Sequence, residues 1–187
     1  MNALKRTVTV ALFASAAAVA AMPLTGCSTA PKSEDKVAAL SANVQATLAS
    51  YKAKDPSLQP LLDKAVGVAV FPDIGKAGWI LGGSYGRGEV WEKGVHVGYA
   101  DVSEVSAGFQ WGAQNFSQIL VFLRQDQLDK FKTGDLALTA NVSAVALTEG
   151  AAATTDPSKG VIALVDTKGG LMAEAAIGGQ RMRYSPK

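Results

Sequence analysis

The chain has 187 residues, with 18 lysines and arginines against 16 acids, one histidine and one cysteine. A formal charge of +2 supplies no bulk field for steering polyanions, so nucleic-acid binding is not expected. A single cysteine excludes an internal disulfide, and a single histidine without cysteine companions leaves zinc unsupported. No metal or cofactor is expected.

The N-terminus has the organisation of a secretory signal. Lys5 and Arg6 form a basic start, Thr7 to Pro23 is apolar and alanine-rich, and small residues follow. The apolar run is short for a transmembrane helix, which needs about 20 such residues. Leu24-Thr25-Gly26-Cys27 resembles the bacterial lipobox, in which the cysteine is acylated and becomes the new first residue. By the same resemblance, the non-acidic Ser28 favours sorting to the outer membrane. The domain reading is thus a signal peptide over 1–26, a tether over 27–33 and one domain over 34–187. Loss of the first 26 residues removes two bases and no acid, so the remaining 161 residues carry no net charge.

Ser33 can cap a helix whose first turn holds Glu34 and Asp35, where the helix dipole favours acids. Val37, Leu40, Val44, Leu48 and Tyr51 form one apolar stripe, which predicts a helix over 34–53. Asp55-Pro56 breaks it, and a second short helix runs to about Ala65. The period then changes. Strands are predicted over 66–72, 79–84, 88–92, 95–99, 105–111 and 118–124, with Lys93-Gly94 as a hairpin turn. Residues 125–132 read as a short helix, 136–147 as a small-residue strand, 148–160 as a surface loop, and 161–177 as a closing hairpin around Lys168-Gly169-Gly170. The fold class is α+β: an N-terminal amphipathic helix packed on a curved, glycine-rich, mainly antiparallel sheet or small barrel.

Gly78 to Val90 contains five glycines, and Gly82-Gly83-Ser84-Tyr85-Gly86 fits G-x-S-x-G. A nucleophile elbow needs a helix directly after the serine, and "YGRGEVWEKG" has no helical period. Gly75-Lys76 is followed by Ala77-Gly78, so a phosphate-binding loop is not supported either. Glycine inside a strand marks a bend or a close backbone approach. Gly82 and Gly83 are therefore expected to be structural, with Gly150 as a tolerant loop position. His96 is expected to be a satisfied or surface residue. The carboxylate pairs Asp101 with Glu104, and Glu89 with Glu92, are read as solvated charges at hairpin ends. No catalytic residue is assigned.

Val70-Phe71-Pro72, Lys76-Ala77-Gly78, Gly82-Gly83 and Gly86-x-Gly88 together resemble the first signature block of the SYLF domain family. Ser106–Phe122, with Gly108-x-Gln110-x-Gly112-x-Gln114, resembles its second block, and Lys168–Met182 its third. The resemblance runs from about Val37 to Arg183 and departs from the family pattern at Glu174 and Gly178. Eukaryotic members are similar to proteins that bind phosphoinositides and actin filaments. Bacterial members are envelope proteins, often lipoproteins, and no enzymatic activity comes with the resemblance.

The expectation is a non-catalytic lipoprotein of the bacterial envelope, held through Cys27, with affinity for anionic phospholipids. Lys32, Lys36, Lys52, Lys54, Lys64, Lys76 and Arg87 are the candidate lipid-binding residues. The alternative is a structural or protein-interaction lipoprotein whose only lipid contact is its acyl anchor.

Overall fold

The computed structural model describes residues 31, 33–78, 81–107, 113–134, 142–167 and 179–187; at 76–78, 81–82, 105–107 and 113–114 the backbone alone is described. Helix α1 (Glu34–Lys54) and helix α2 (Leu58–Asp63) precede four long strands: β1 (Gly67–Gly78), β2 (Leu81–Glu92), β3 (Val95–Ala107) and β4 (Ala113–Phe122). Helix α3 (Gln125–Thr133), β5 (Val142–Ala146), two short 3-10 turns, β6 (Val161–Thr167) and β7 (Arg181–Pro186) complete the order. The strands form one sheet in the order β5-β6-β4-β1-β2-β3-β7, antiparallel except for the β5–β6 pair. It is an open sheet: among the described residues β5 and β7 remain its two edges, so the barrel alternative does not hold.

Two of the expected breaks are absent. Residues 81–92 form one strand through Gly82, Gly83, Gly86 and Gly88, and 95–107 form another. Lys93 (φ 49°) and Gly94 (φ 79°) join them, both in the left-handed region that a two-residue hairpin turn requires. The closing hairpin fares differently. Strand β6 pairs with β4 and β5, while β7 starts at Arg181 and pairs with β3. Residues 168–178 lie outside the described residues, as do the first part of the 136–147 strand and the signal segment.

The sheet separates two apolar clusters. On its convex face Val44 and Tyr51 of α1 and Leu58 and Leu61 of α2 pack against Val70, Ile119, Val121, Ile162 and Leu164. The stripe foreseen for α1 is the face it buries. The Tyr51 hydroxyl donates to the Ser117 carbonyl at 2.7 Å and accepts the Asp166 backbone N–H at 3.0 Å, which ties α1 to β4 and β6. Burial pushes the Tyr51 phenol well above its ordinary range, so it stays neutral in these bonds. On the concave face Ala69, Phe71, Val90, Ala100, Leu120 and Phe122 pack with Leu128 and Phe131 of α3.

The sheet is strongly curled. Phe131, which follows β4, stands 6.5 Å from the Tyr184 ring on β7, and Gln180 donates to the Gln118 side chain at 3.1 Å. In a flat sheet β4 and β7, four strand spacings apart, would be about 19 Å from each other. The bend has a local cause in β1. Its pairing with β2 slips between Val70 and Asp73, and with β4 between Phe71 and Ile74. Pro72 sits in that gap, where a residue without an N–H removes no ladder bond. Phe71 and Ile74, three residues apart, consequently both face the concave core.

Strand β2 meets the bulge with glycines. A Cβ at Gly88 would fall 2.2 Å from the Val70 carbonyl oxygen, and one at Gly86 would fall 2.6 Å from Ile74 Cγ1 and 2.9 Å from the Asp73 carbonyl oxygen. At Gly83 the nearest atom would be 3.4 Å away, an ordinary contact, so within β2 the tight glycines are 86 and 88 and not 83. The reading of Gly150 as a tolerant position is also corrected: it has φ of 77°, and its N–H donates to Asp55 Oδ1 at 3.1 Å.

Asp55 is fully buried between α1 and α2. Burial opposes its charge, but donation from Ser57 Oγ and from the backbone N–H groups of Ala152, Ser57 and Gly150 outweighs that and holds its carboxyl below the usual range.

Two outcomes are expected. Gly88→Ala costs about 1–3 kcal/mol by overpacking, a drop of several degrees in a thermal melt at roughly 2–4 °C per kcal/mol, whereas Gly83→Ala melts close to wild type. Asp55→Asn lowers stability by about 1–3 kcal/mol at pH 7, because hydrogen bonds to a buried carboxylate are lost. The folded value of Asp55 lies below the roughly 3.9 of an unfolded aspartate. Its contribution is therefore complete above that pH and is lost as pH falls through the folded value. Denaturant melts of the two proteins converge in acid if this is right.

Candidate lipid-binding site

Five of the seven candidate basic residues have described side chains, and the fold scatters them. Lys36 is exposed in the first turn of α1 and Lys52 in its last. Sixteen residues of helix put about 24 Å between them. Lys54 forms an ion pair with Asp166 on β6. Lys64 is the exposed C-terminal cap of α2. Lys32 lies outside the described residues, and Lys76 is placed only by its backbone, opposite Ser84 and Gln114. Arg87 stands apart on the convex face of β2, donating from Nη2 to the Tyr85 hydroxyl at 3.0 Å.

One of these lysines borders an apolar recess. Between the last turns of α1, the end of α2 and the β2–β3 hairpin lies a groove of about 220 Å³. Leu48, Leu62, Val68 and Trp91 line it, and Lys52 and Lys93 contribute from opposite sides, one from the helix and one from the hairpin. Both lysines are exposed, so their ammonium ends stay in water. Lys64 precedes Ala65, which also lines the groove. In the sequence Lys93 stands only as a turn former. Its place at the groove comes from the hairpin folding back toward α1, which no local pattern records.

Ring contacts and hydrogen bonds support the wall of the groove. Trp91 stacks on His96 with ring centroids 5.2 Å apart, and His96 meets Tyr99 edge-on at 5.0 Å. His96 Nε2 lies 3.0 Å from the Gly98 carbonyl oxygen, so this histidine is a satisfied packing residue. Glu92, next to the turn, is bound by Lys132 and Gln125 of α3. These hydrogen bonds, that of Lys132 first, hold its carboxyl below the usual range.

Neither suspected carboxylate pair is assembled. Asp101 is on the convex face, while the buried Glu104 faces the concave side, where Ser84 donates to it at 3.3 Å. Glu89 is buried beneath α1 and takes a hydrogen bond from Ser41, whereas Glu92 turns to α3. Both are paired, not solvated as expected. Burial pushes the Asp101 carboxyl up, against the pull of Arg183 and Arg87. Ser84 is buried inside a continuous strand with no helix behind it, so the strand-turn-helix of a nucleophile elbow is not formed. Seven residues of strand separate it from Trp91, the partner of His96, about 23 Å. Among the described residues no group of three or more metal-ligating side chains is assembled, and no helix is long and apolar enough to cross a membrane.

No curated protein matches the chain. Residues 103–185 match the family model Ysc84, described as Las17-binding protein actin regulator. The match takes in the second and third glycine blocks and leaves the first, Ala65–Val90, outside it. Over residues 103–185, a little under half of its length, the chain is similar to the SYLF (Ysc84) family.

Proposed function

We propose that this protein is a lipid-anchored lipoprotein of the bacterial envelope, at the outer membrane, whose SYLF domain binds anionic lipid and catalyses no reaction. The observation that carries the lipid reading is the groove: an apolar lining between two exposed lysines suits an amphiphile with an acyl part and an anionic head. Lys52 and Lys93 each contribute about 1 kcal/mol beside an anionic surface. The Las17-binding and actin-regulating description is that of the matched family model. The signal-like N-terminus supports an envelope setting for this one.

The anchor reading rests on Leu24-Thr25-Gly26-Cys27. One acyl chain anchors only marginally, at about 0.8 kcal/mol per buried methylene, so stable anchoring takes two signals. Cys27→Ser is expected to release the protein to the soluble fraction or leave it unprocessed; full membrane retention with normal processing would refute the lipobox.

For the groove, the chain from Ser28 onward contains every described element and carries no acyl group. It is expected to sediment with phosphatidylglycerol vesicles at low salt and to be released as salt screens the lysines. Lys52→Glu with Lys93→Glu should weaken that binding at least tenfold without moving the melting temperature, since both side chains are exposed. Equal binding by the variant would remove the groove from the account. No binding by the parent protein would leave the acyl anchor as the only lipid contact.

A further inference from the structure

Helix α1 crosses the strands. Ser41 bonds to Glu89 on β2, while Tyr51 bonds to Ser117 on β4 and to the backbone of Asp166 on β6. Going back from Tyr51 to Ser41, about 15 Å of helix, the axis moves from β6 and β4 over β1 to β2. The remaining seven residues to Glu34 carry it about 10 Å further, two strand spacings, toward β3 and β7. Helix α1 packs chiefly on β1 and β2, and its C-terminal part reaches β4 and β6. Beyond Tyr99, which is buried, the convex rows of β3 and β7 are open among the described residues: Ser103, Arg181 and Arg183 are exposed, and Tyr85 beside them is 52% exposed.

Register gathers charge on that open face. Arg87 is opposite Asp101, which is opposite Arg183; in the next row Tyr85 is opposite Ser103, which is opposite Arg181. Six side chains from three strands thus share one surface about 10 Å across. It holds three guanidinium groups and one carboxylate. Among the described residues none of the three arginines has a carboxylate within 4.0 Å. Arg87 Nε and Asp101 Oδ1 are both buried without a hydrogen-bond partner. Glu34 and Asp35, in the overhanging first turn of α1, are exposed and form no ion pair with the arginines. Asp101, Ser103, Arg181 and Arg183 also line a hollow of about 510 Å³ at the β3–β7 edge.

Like charges on neighbouring strands repel, and nothing in the core requires them there. Guanidinium forks match phosphate oxygens in geometry and charge. An exposed tyrosine suits a boundary that is apolar on one side and wet on the other. Chain length selects the source of the phosphate. Cys27 lies six residues before Ser33, and a fully extended chain of that length reaches about 21 Å. An acylated Cys27 therefore keeps the bilayer surface near the end of α1 that overhangs this face.

We propose that the convex face of β2, β3 and β7 is the surface that lies on an anionic bilayer, with lipid phosphates held by Arg87, Arg181 and Arg183; this rests on the lipid-binding reading above. Asp101 spaces the arginines and opposes the incoming phosphate, so its charge tunes the affinity. Arg181 and Arg183 act here as headgroup ligands, and the groove is a separate element on the flank of α1.

The test uses the chain from Ser28 onward and vesicles of equal phosphatidylglycerol and phosphatidylcholine, with pure phosphatidylcholine vesicles as reference. Arg181→Glu with Arg183→Glu is expected to lose at least tenfold in affinity, and Arg181→Gln with Arg183→Gln several-fold, both with unchanged melting temperatures. Asp101→Asn is expected to bind several-fold more tightly, which a merely structural role for Asp101 would not produce. If the parent binds and the arginine variants bind equally, the face is wrong while the lipid reading stands. If Asp101→Asn binds more weakly, the assigned role of the face is likewise wrong. If inorganic phosphate binds as tightly as the vesicles, the face is an anion site and not a membrane contact. If the parent ignores anionic vesicles, both readings fall together.

Discussion

The architecture depends on one irregularity, the slip in β1 around Pro72. A proline in a central strand would ordinarily orphan a carbonyl on its neighbour. Here both ladders skip it, and the extra residue bends β1 where it is flanked on both sides. The bend brings β2 so close that only glycine fits at 86 and 88. It also curls the sheet until the helix after β4 touches β7. Proline and glycines are thus two halves of one device, and the glycines need no ligand to explain them.

The curl divides the molecule by chemistry. Its concave side is filled by rings and aliphatic side chains and closed by α3. Among the described residues, α1 and α2 cover its convex side over β1, β2, β4 and β6, and Val145 of β5 packs at the margin of the same cluster. The outward rows of β2, β3 and β7, among the described residues, carry Arg87, Arg181 and Arg183, and the flank of α1 leaves a narrow apolar groove. Under the proposed function, it is this cationic surface with its apolar flank that would meet a lipid bilayer.

Much of this was legible in the sequence, and the boundary is physical. The stripe from Val37 to Tyr51 announced α1 because its burial is periodic along the chain. Lys93-Gly94 announced a hairpin because positive φ at both positions restricts the residue types allowed. The break expected over 85–87 is absent, because Gly86 interrupts side-chain periodicity but not the backbone ladder; the reading of these strand glycines as close-packing positions holds at 86 and 88, and only the neighbouring strand shows which ones are tight. Strand β7 escaped because "RMRYSP" mixes charge with Met182 and Tyr184, and its partner β3 is about eighty residues away. The lysines expected to act together are separated by the length of α1. Arg181 and Arg183, remote in sequence, reach Arg87 through two registers.

The central claim, that the convex face of β2, β3 and β7 meets the membrane, is tested most directly by spin-label depth. The chain from Ser28 onward has no cysteine, so single labels at Ser103 on that face and at Asp129 on α3 can be compared on phosphatidylglycerol vesicles. The account predicts that the Ser103 label loses contact with a water-soluble relaxation agent and gains contact with oxygen, while the Asp129 label stays in water. Shielding of Asp129 with Ser103 left in water would contradict it.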